Sequence, residues 1–443
     1  MDLNTRLQNV TVIGAAGKMG SGISLLLALE VAYRALENKD RTYLLNLVDV
    51  SDGALQGLLR YLREQAIKDA EKQMSRLRRL YADREDLIEN GEMIQAFADE
   101  VIQHVRTGKA MTLAQDSTLV FEAAFEKEEL KIGLYQELAA ICPREMYILT
   151  NTSSIPLHVL SEASGMLGRV IGYHFYNPPA VQKLLEIITP DVCDSELQQL
   201  AAELAKALRK TVVPSNDIAG FIGNGHFVRD GLHGIREVER LAQEHGYVKA
   251  MFFVNKTSRE WLLRPMGIFQ LIDYVGIDVF QLILRVMENY LHDGLHSPLI
   301  DRLLEQGIKG GQTSSGGQKN GFLEYEKGAI TGIYDPNQQA YVKLDGTWNL
   351  EADAFLGPHP DPSMSWKTLQ GDPRLTEKLR AYFGKFKSLN TFGVNLAAEY
   401  FRASRTASQR LVDGGVAHCA EDVNKVLTLG FFHLYGPIND YLD

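Results

Sequence analysis

Cysteine is scarce in this chain: Cys142, Cys193 and Cys419 are the only three, and none falls in a CxxC or other metal-ligand spacing. That argues against a disulfide framework or a thiolate metal site and fits a reducing compartment. Long apolar runs are missing too. The longest near the start, Ile23–Leu29, is far short of the ~20 residues a membrane span needs, and no charged-then-apolar targeting segment precedes it. Positive charge is also in deficit: 46 basic against 56 acidic residues give a net charge of −10. That argues against a nucleic-acid partner while leaving room for a local basic site. The expectation is a cytoplasmic protein with no membrane or nucleic-acid partner. What is abundant is apolar bulk, 45% of 443 residues, enough for two or three cores.

Val10–Ile13 reads as a short strand, followed at once by Gly14-Ala-Ala-Gly17-Lys18-Met19-Gly20 and an apolar helix over Ile23–Leu36. Strand, glycine turn and helix N-terminus together present backbone N–H groups to a pyrophosphate. The spacing is GxxGxxG, one residue longer than GxGxxG. A second strand, Tyr43–Val48, ends in Asp49. An acid there accepts both ribose hydroxyls of NAD and repels the 2′-phosphate of NADP. This predicts a dinucleotide site that prefers NAD.

From Ser51 the pattern turns helical, with Leu55, Leu58, Leu59, Leu62 and Ala66 on one stripe and Ser51 or Asp52 as N-cap. Lys68, Lys72, Arg76, Arg78 and Arg79 then concentrate positive charge. A solvated helix face explains such a run; so does a landing site for a polyanionic substrate tail such as coenzyme A. Thr118–Phe121 and Tyr147–Leu149 return to strand character, leading into Glu122-Ala-Ala-Phe-Glu126 and Thr150-Asn151-Thr-Ser153-Ser154. Polar groups at strand carboxyl ends are where an open α/β sheet places its ligand contacts. The next strand, from Val170, delivers His174, and twelve residues on Glu186 interrupts the apolar run Leu184–Ile188. A carboxylate among apolar neighbours needs a partner, and a histidine is a chemically useful one. Taken alone, the pair also fits a satisfied core histidine and an unrelated glutamate.

VIGAAGKMGSGI, FEAAFEKEELK, TNTSSI, GYHFYNP and KLLEII, in this order, resemble the 3-hydroxyacyl-CoA dehydrogenases. AGFIGN (Ala219–Asn224), PMGIFQLIDYVGID (Pro265–Asp278) and GQKNGFLEY (Gly317–Tyr325) extend the resemblance over residues 8–330. It implies that Ser153, His174, Glu186 and Asn224 are catalytic. The glycine turn and the resemblance together assign Gly14, Gly17, Lys18, Met19, Gly20, Asp49, Glu126, Lys131 and Asn151 to the cofactor. Ser153 and Lys72, where the family has a lysine that contacts coenzyme A, are implied to meet an acyl-CoA substrate, and Lys68 joins them from the basic cluster. One departure is that Gly225 follows Asn224 where the family usually has arginine.

The fold class implied is an α/β Rossmann-like NAD-binding domain (1–214) followed by all-α domains of the 6-phosphogluconate dehydrogenase C-terminal type. A first helical copy spans 215–330. Residues 331–374, rich in proline toward Pro358, Pro360 and Pro362, read as a linker or irregular arm. Residues 375–443 read as a second helical copy, as in multifunctional fatty-acid oxidation enzymes; the tandem copies allow a monomer, with a homodimer remaining open. His226 and His233 read as packing residues, and His292-Asp-Gly-Leu-His296 as a helix end rather than a metal site. The expected reaction is reversible NAD-dependent oxidation of an L-3-hydroxyacyl-CoA, with His174 as general base paired with Glu186. A dehydrogenase of a free hydroxy acid and a non-catalytic CoA- or NAD-binding protein are the alternatives.

Overall fold

A computed structural model describes residues 2–313 and 316–443, which divide into two compact units, Met1–Ile218 and Ala219–Asp443. The first unit is built on an eight-stranded sheet: β1 Asn9–Ile13, β2 Leu44–Val48, β3 Val105–Gly108, β4 Leu119–Glu122, β5 Tyr147–Thr150, β6 Val170–Phe175, β7 Leu184–Thr189 and β8 Thr211–Asn216. Their spatial order is β3-β2-β1-β4-β5-β6-β7-β8. Neighbours are parallel except β6 and β7, which run antiparallel. The central strands β4, β5 and β6 are mainly apolar and buried along their whole length, as a sheet covered on both faces requires, with Glu122, Thr150 and His174 the polar groups toward their carboxyl ends. The order reverses between β1 and β4, which sets a ligand crevice at their carboxyl ends.

Two helices frame that crevice. Gly20–Glu37 follows β1 and buries Ile23, Leu27 and Val31. Asp52–Lys72 follows β2 and starts where the Ser51 hydroxyl accepts the Ala54 N–H at 3.2 Å. Its stripe of Leu55, Leu58, Leu62, Ala66 and Ala70 is buried and packs on helix Asn90–Gln103.

In the second unit, helix Phe221–His245 packs against Tyr247–Lys256 and against two helices from the end of the chain, Phe392–Asp413 and Ala420–Gly430. Leu411, Val416, Val423, Val426 and Leu427 are all buried. Gly225 has a steric role here: a Cβ on it would stand 2.8 Å from Leu411 Cδ2. The arginine usual at that position gives way to the packed late helix. Three strands, β9 Leu323–Glu326, β10 Ala329–Asp335 and β11 Ala340–Lys343, form an antiparallel sheet, and helix Trp348–Leu356 follows. The stretch expected to be an irregular arm is therefore regular in part. Lys327 and Gly328 both take positive φ (48° and 83°), the geometry of a tight hairpin turn. Ile333, Tyr334 and Leu356 join the same core as Phe227, Trp261 and Phe383. No helix among the described residues is long and apolar enough to cross a membrane.

Candidate active site

The carboxyl ends of β1, β2, β4, β5 and β6 bring the glycine turn, Asp49, Glu122–Glu126, Asn151–Ser154 and His174 to one edge of the sheet. β7 enters from that edge, so Glu186 lies directly opposite His174 in the antiparallel register.

The glycine turn is a tight backbone loop. Gly14 and Ala15 N–H donate to the Val48 carbonyl at 2.9 and 3.1 Å. Gly14 has φ +73°, and a Cβ on it would meet the Ala123 carbonyl oxygen at 2.6 Å. A Cβ on Gly20 would fall 1.9 Å from the Gly14 oxygen. Only glycine lets the helix that begins at Gly20 approach so closely, which leaves its N-terminal N–H groups at the crevice. The extra residue in the turn is absorbed by Ala16, whose N–H donates to Asp49 Oδ2 at 2.9 Å. Turn and strand-end acid are thereby one assembly, and together they fit a dinucleotide. Gly17 and Lys18 are exposed and Met19 is partly buried just ahead of the helix.

At the next strand end, buried charges form a chain. Glu122 is fully buried and accepts from Ala124 N–H (2.6 Å), Thr150 Oγ1 (2.7 Å), Tyr135 OH (2.8 Å) and Lys131 Nζ (2.8 Å). Lys131, 1% exposed, also lies 3.4 Å from Glu126 Oε2. Burial alone would lower the lysine's pKa, but Glu122 and Glu126 outweigh it and hold the ammonium above its ordinary value. Burial would likewise raise Glu126, but Lys131 and the N–H groups of Ser153 and Ser154 bring it below the usual carboxylate range. Glu126 Oε1 accepts from Thr152 Oγ1 (2.8 Å), Ser153 N–H (2.8 Å) and Ser154 N–H (3.0 Å), with Ser153 Oγ at 3.3 Å. Ser153 is thus held by its own backbone, and Lys131 acts on this loop through Glu126.

Asn151 ties β5 to β6, its Oδ1 accepting Phe175 N–H at 2.8 Å. Beside it, His174 Nδ1 stands 3.1 Å from Glu186 Oε2, with His174 8% and Glu186 0% exposed. Tyr176 OH donates to the same carboxylate oxygen at 2.6 Å. Burial and the adjacent Glu186 carboxylate raise the Tyr176 phenol well above its usual pKa, so it stays a donor. Neither Tyr176 nor Glu122 stands out by residue pattern. Their sequence signal is position, two residues past His174 and at the end of a strand, inside the stretches GYHFYNP and FEAAFEKEELK.

Lys68 and Lys72 are exposed on helix Asp52–Lys72 and form no ion pair among the described residues. The rest of the basic run is less uniform. Arg76 is bonded to Glu37 at 2.7 Å and stacked on the Tyr33 ring at 3.7 Å, and Arg78 donates to Asn90 Oδ1. Asn224 belongs to the second unit, in the first turns of helix Phe221–His245 behind the left-handed Gly220.

The chain is similar to known proteins in sequence and in fold. Residues 9–218 match the family described as 3-hydroxyacyl-CoA dehydrogenase, NAD binding domain, and residues 226–320 match 3-hydroxyacyl-CoA dehydrogenase, C-terminal domain. A probable 3-hydroxybutyryl-CoA dehydrogenase of Bacillus subtilis is 28% identical over 318 residues, 71% of this chain and 97% of that one. A 3-hydroxybutyryl-CoA dehydrogenase of Bradyrhizobium diazoefficiens is 30% identical over 248 residues, 53% of this chain and 80% of that protein. The crystal structure of 3-hydroxybutyryl-CoA dehydrogenase from Escherichia coli K12 is similar in fold over 98% of this chain and 90% of that one, with a TM-score of 0.66 at 21% identity. A glycine turn joined to Asp49, a switch-point sheet and these two consecutive matches lead to one conclusion: the chain belongs to the 3-hydroxyacyl-CoA dehydrogenase family and is an NAD-dependent oxidoreductase.

Proposed function

We propose that the protein interconverts an L-3-hydroxyacyl-CoA and the 3-ketoacyl-CoA, with His174 as the general base. The observation that carries this reading is the buried 3.1 Å contact of His174 Nδ1 with Glu186. Glu186 fixes the ring's orientation and stabilises the imidazolium that forms when His174 takes the hydroxyl proton. Tyr176 holds the shared oxygen of Glu186 in place. NAD, when bound, supplies the hydride acceptor. The Gly14–Gly20 turn with Lys18 and Met19 would hold its pyrophosphate, Asp49 its adenine ribose, and Glu126 and Asn151 its nicotinamide end, with Lys131 behind Glu126. Ser153 and Asn224 are assigned, by the resemblance, to hydrogen-bond the reacting oxygens, where fixed dipoles lower the barrier.

Lys68 and Lys72 would receive the coenzyme A moiety. Short acyl chains are the first substrates to test, because relatives bear the name 3-hydroxybutyryl-CoA dehydrogenase. The late helices packed on Phe221–His245 would take the place of a second subunit's helices, making the chain monomeric and, in keeping with its cysteine usage, cytoplasmic. An NADH-forming assay across short, medium, long and aromatic hydroxyacyl-CoA thioesters, with free hydroxy acids alongside, tests the reading. Turnover of free acids but not thioesters would favour the hydroxy-acid alternative, and no turnover of either a non-catalytic binding role.

A further inference from the structure

A cavity of about 260 Å³ lies in the first unit between helix Gly20–Glu37, the end of helix Asp52–Lys72, the turn before β7 and the turn before β8. Four cations line it, Arg76, Lys183, Arg209 and Lys210, against two acids, Glu30 and Asp69. Both acids are already engaged. Glu30 pairs with Arg34 at 2.7 Å, and Asp69 accepts the Tyr33 hydroxyl at 2.7 Å. Among the cations, Arg76 is bonded to Glu37, while Lys183 and Arg209 are exposed and form no ion pair among the described residues. Arg209 sits at the turn in a left-handed conformation, φ 55°. Lys210 is anchored on the carbonyls of Pro179 (2.5 Å) and Gln182 (2.7 Å), over the Phe175 ring. Burial draws its pKa down to about 8, and an anion placed beside it would restore the charge.

A local excess of cations in a chain of net charge −10 attracts a compact anion. The volume falls below the ~300–1,000 Å³ of pockets that enclose whole ligands, so it suits one ionic group of a larger molecule. Asp69 and Lys72 lie three residues apart on one helix and are surface neighbours. The cavity therefore adjoins the lysine assigned to coenzyme A.

We propose that this cavity, with Arg209 and Lys183 as its principal contacts, is the subsite for a phosphate dianion, and that the dianion is the 3′-phosphate of the coenzyme A substrate. This rests on the acyl-CoA reading above. The alternative source of the same chemistry is free phosphate.

Calorimetric binding of CoA and of dephospho-CoA, which lacks only that phosphate, tests the subsite whether or not turnover is seen. The wild type should bind CoA about tenfold or more tighter, as one charge-assisted hydrogen bond implies. Arg209→Gln and Lys183→Gln should each shrink that ratio, and the double variant should abolish it. Arg60→Gln, an exposed cation on the same long helix but outside the cavity, should keep it. Equal wild-type affinity for the two ligands, or an undiminished ratio in the double variant, overturns the proposal. So does inorganic phosphate that binds Arg209-dependently without displacing CoA. Wild-type turnover of a 3-hydroxyacyl-CoA combined with any of these three binding results leaves the catalytic reading standing and removes only the subsite.

Discussion

Replacing Lys131 by methionine isolates the buried charge chain behind the Ser153 loop. Methionine keeps the length and apolar stem of the side chain but removes the ammonium that sits 2.8 Å from Glu122 and 3.4 Å from Glu126. Because Lys131 is 1% exposed and Glu122 fully buried, no solvent replaces the lost cation. Breaking a buried pair by removing one partner costs about 3–5 kcal/mol. With a urea slope near 3 kcal/mol per molar, the unfolding midpoint should fall by about 1–2 M. All three tryptophans, Trp261, Trp348 and Trp366, lie in the second unit, so the first unit must be followed by far-UV circular dichroism. The sign of the pH dependence follows from the same contacts. In the wild type, Glu126 is depressed, so its contribution is present above its unfolded pKa and is lost as pH falls through the folded value. Lys131 is raised, so its contribution is present below its unfolded pKa and is lost as pH rises through the folded value. In the variant Glu126 loses the Lys131 cation that held its carboxyl down against burial, so its protonated form is favoured. The variant's deficit should therefore shrink on moving from pH 8 to pH 5. A midpoint equal to wild type at pH 8, or a deficit that grows on acidification, would refute the reasoning.

Further outcomes are expected. NAD should give a higher kcat/KM than NADP, and Asp49→Asn should narrow the gap, because the carboxylate at the end of β2 repels a 2′-phosphate; equal kcat/KM in the wild type contradicts the assignment. Neutralising Lys68 and Lys72 should raise KM for a CoA thioester more than for a pantetheine thioester, leaving kcat less affected; equal changes would return both lysines to a solvated face. Gly225→Arg must displace the buried Leu411 and should cost about 1–3 kcal/mol, read as a lower midpoint in tryptophan-detected unfolding. Leu411→Ala should recover part of that loss. Truncation near Tyr334 removes Leu379, Phe383, Tyr400 and Phe401 from the core they share with Phe227 and Trp261, so the shortened chain should self-associate or become insoluble; a soluble monomer as stable as the full chain argues against the intrachain pairing.

The elements that carry the chemistry were legible because they depend on local pattern. β1, its glycine turn and the following helix are contiguous, and β2 ends at Asp49 as expected. Polar groups after β4 and β5 marked the crevice without any knowledge of tertiary structure. Other features depend on contacts between distant residues. That Asp49 holds Ala16 across 33 positions explains the longer glycine turn, yet no spacing rule announces it. The resemblance placed Lys131 near the cofactor, but only the fold shows it buried between two glutamates. Arg76 looked like part of a basic run, and its stacking on Tyr33 emerges only when the two helices meet. In the 331–374 region, the prolines suggested an irregular arm, while the hairpin turn at Lys327–Gly328 and the buried Ile333 and Tyr334 carried the weaker signal of a small sheet.

The central claim is that His174, oriented by Glu186, takes the substrate proton. Its most direct test is NADH formation from a saturating L-3-hydroxyacyl-CoA by wild type and His174→Ala, with NAD affinity measured on both. The account predicts that the variant's kcat falls about 10²–10⁴-fold while NAD affinity is retained. A variant that turns over at a near wild-type rate would contradict it.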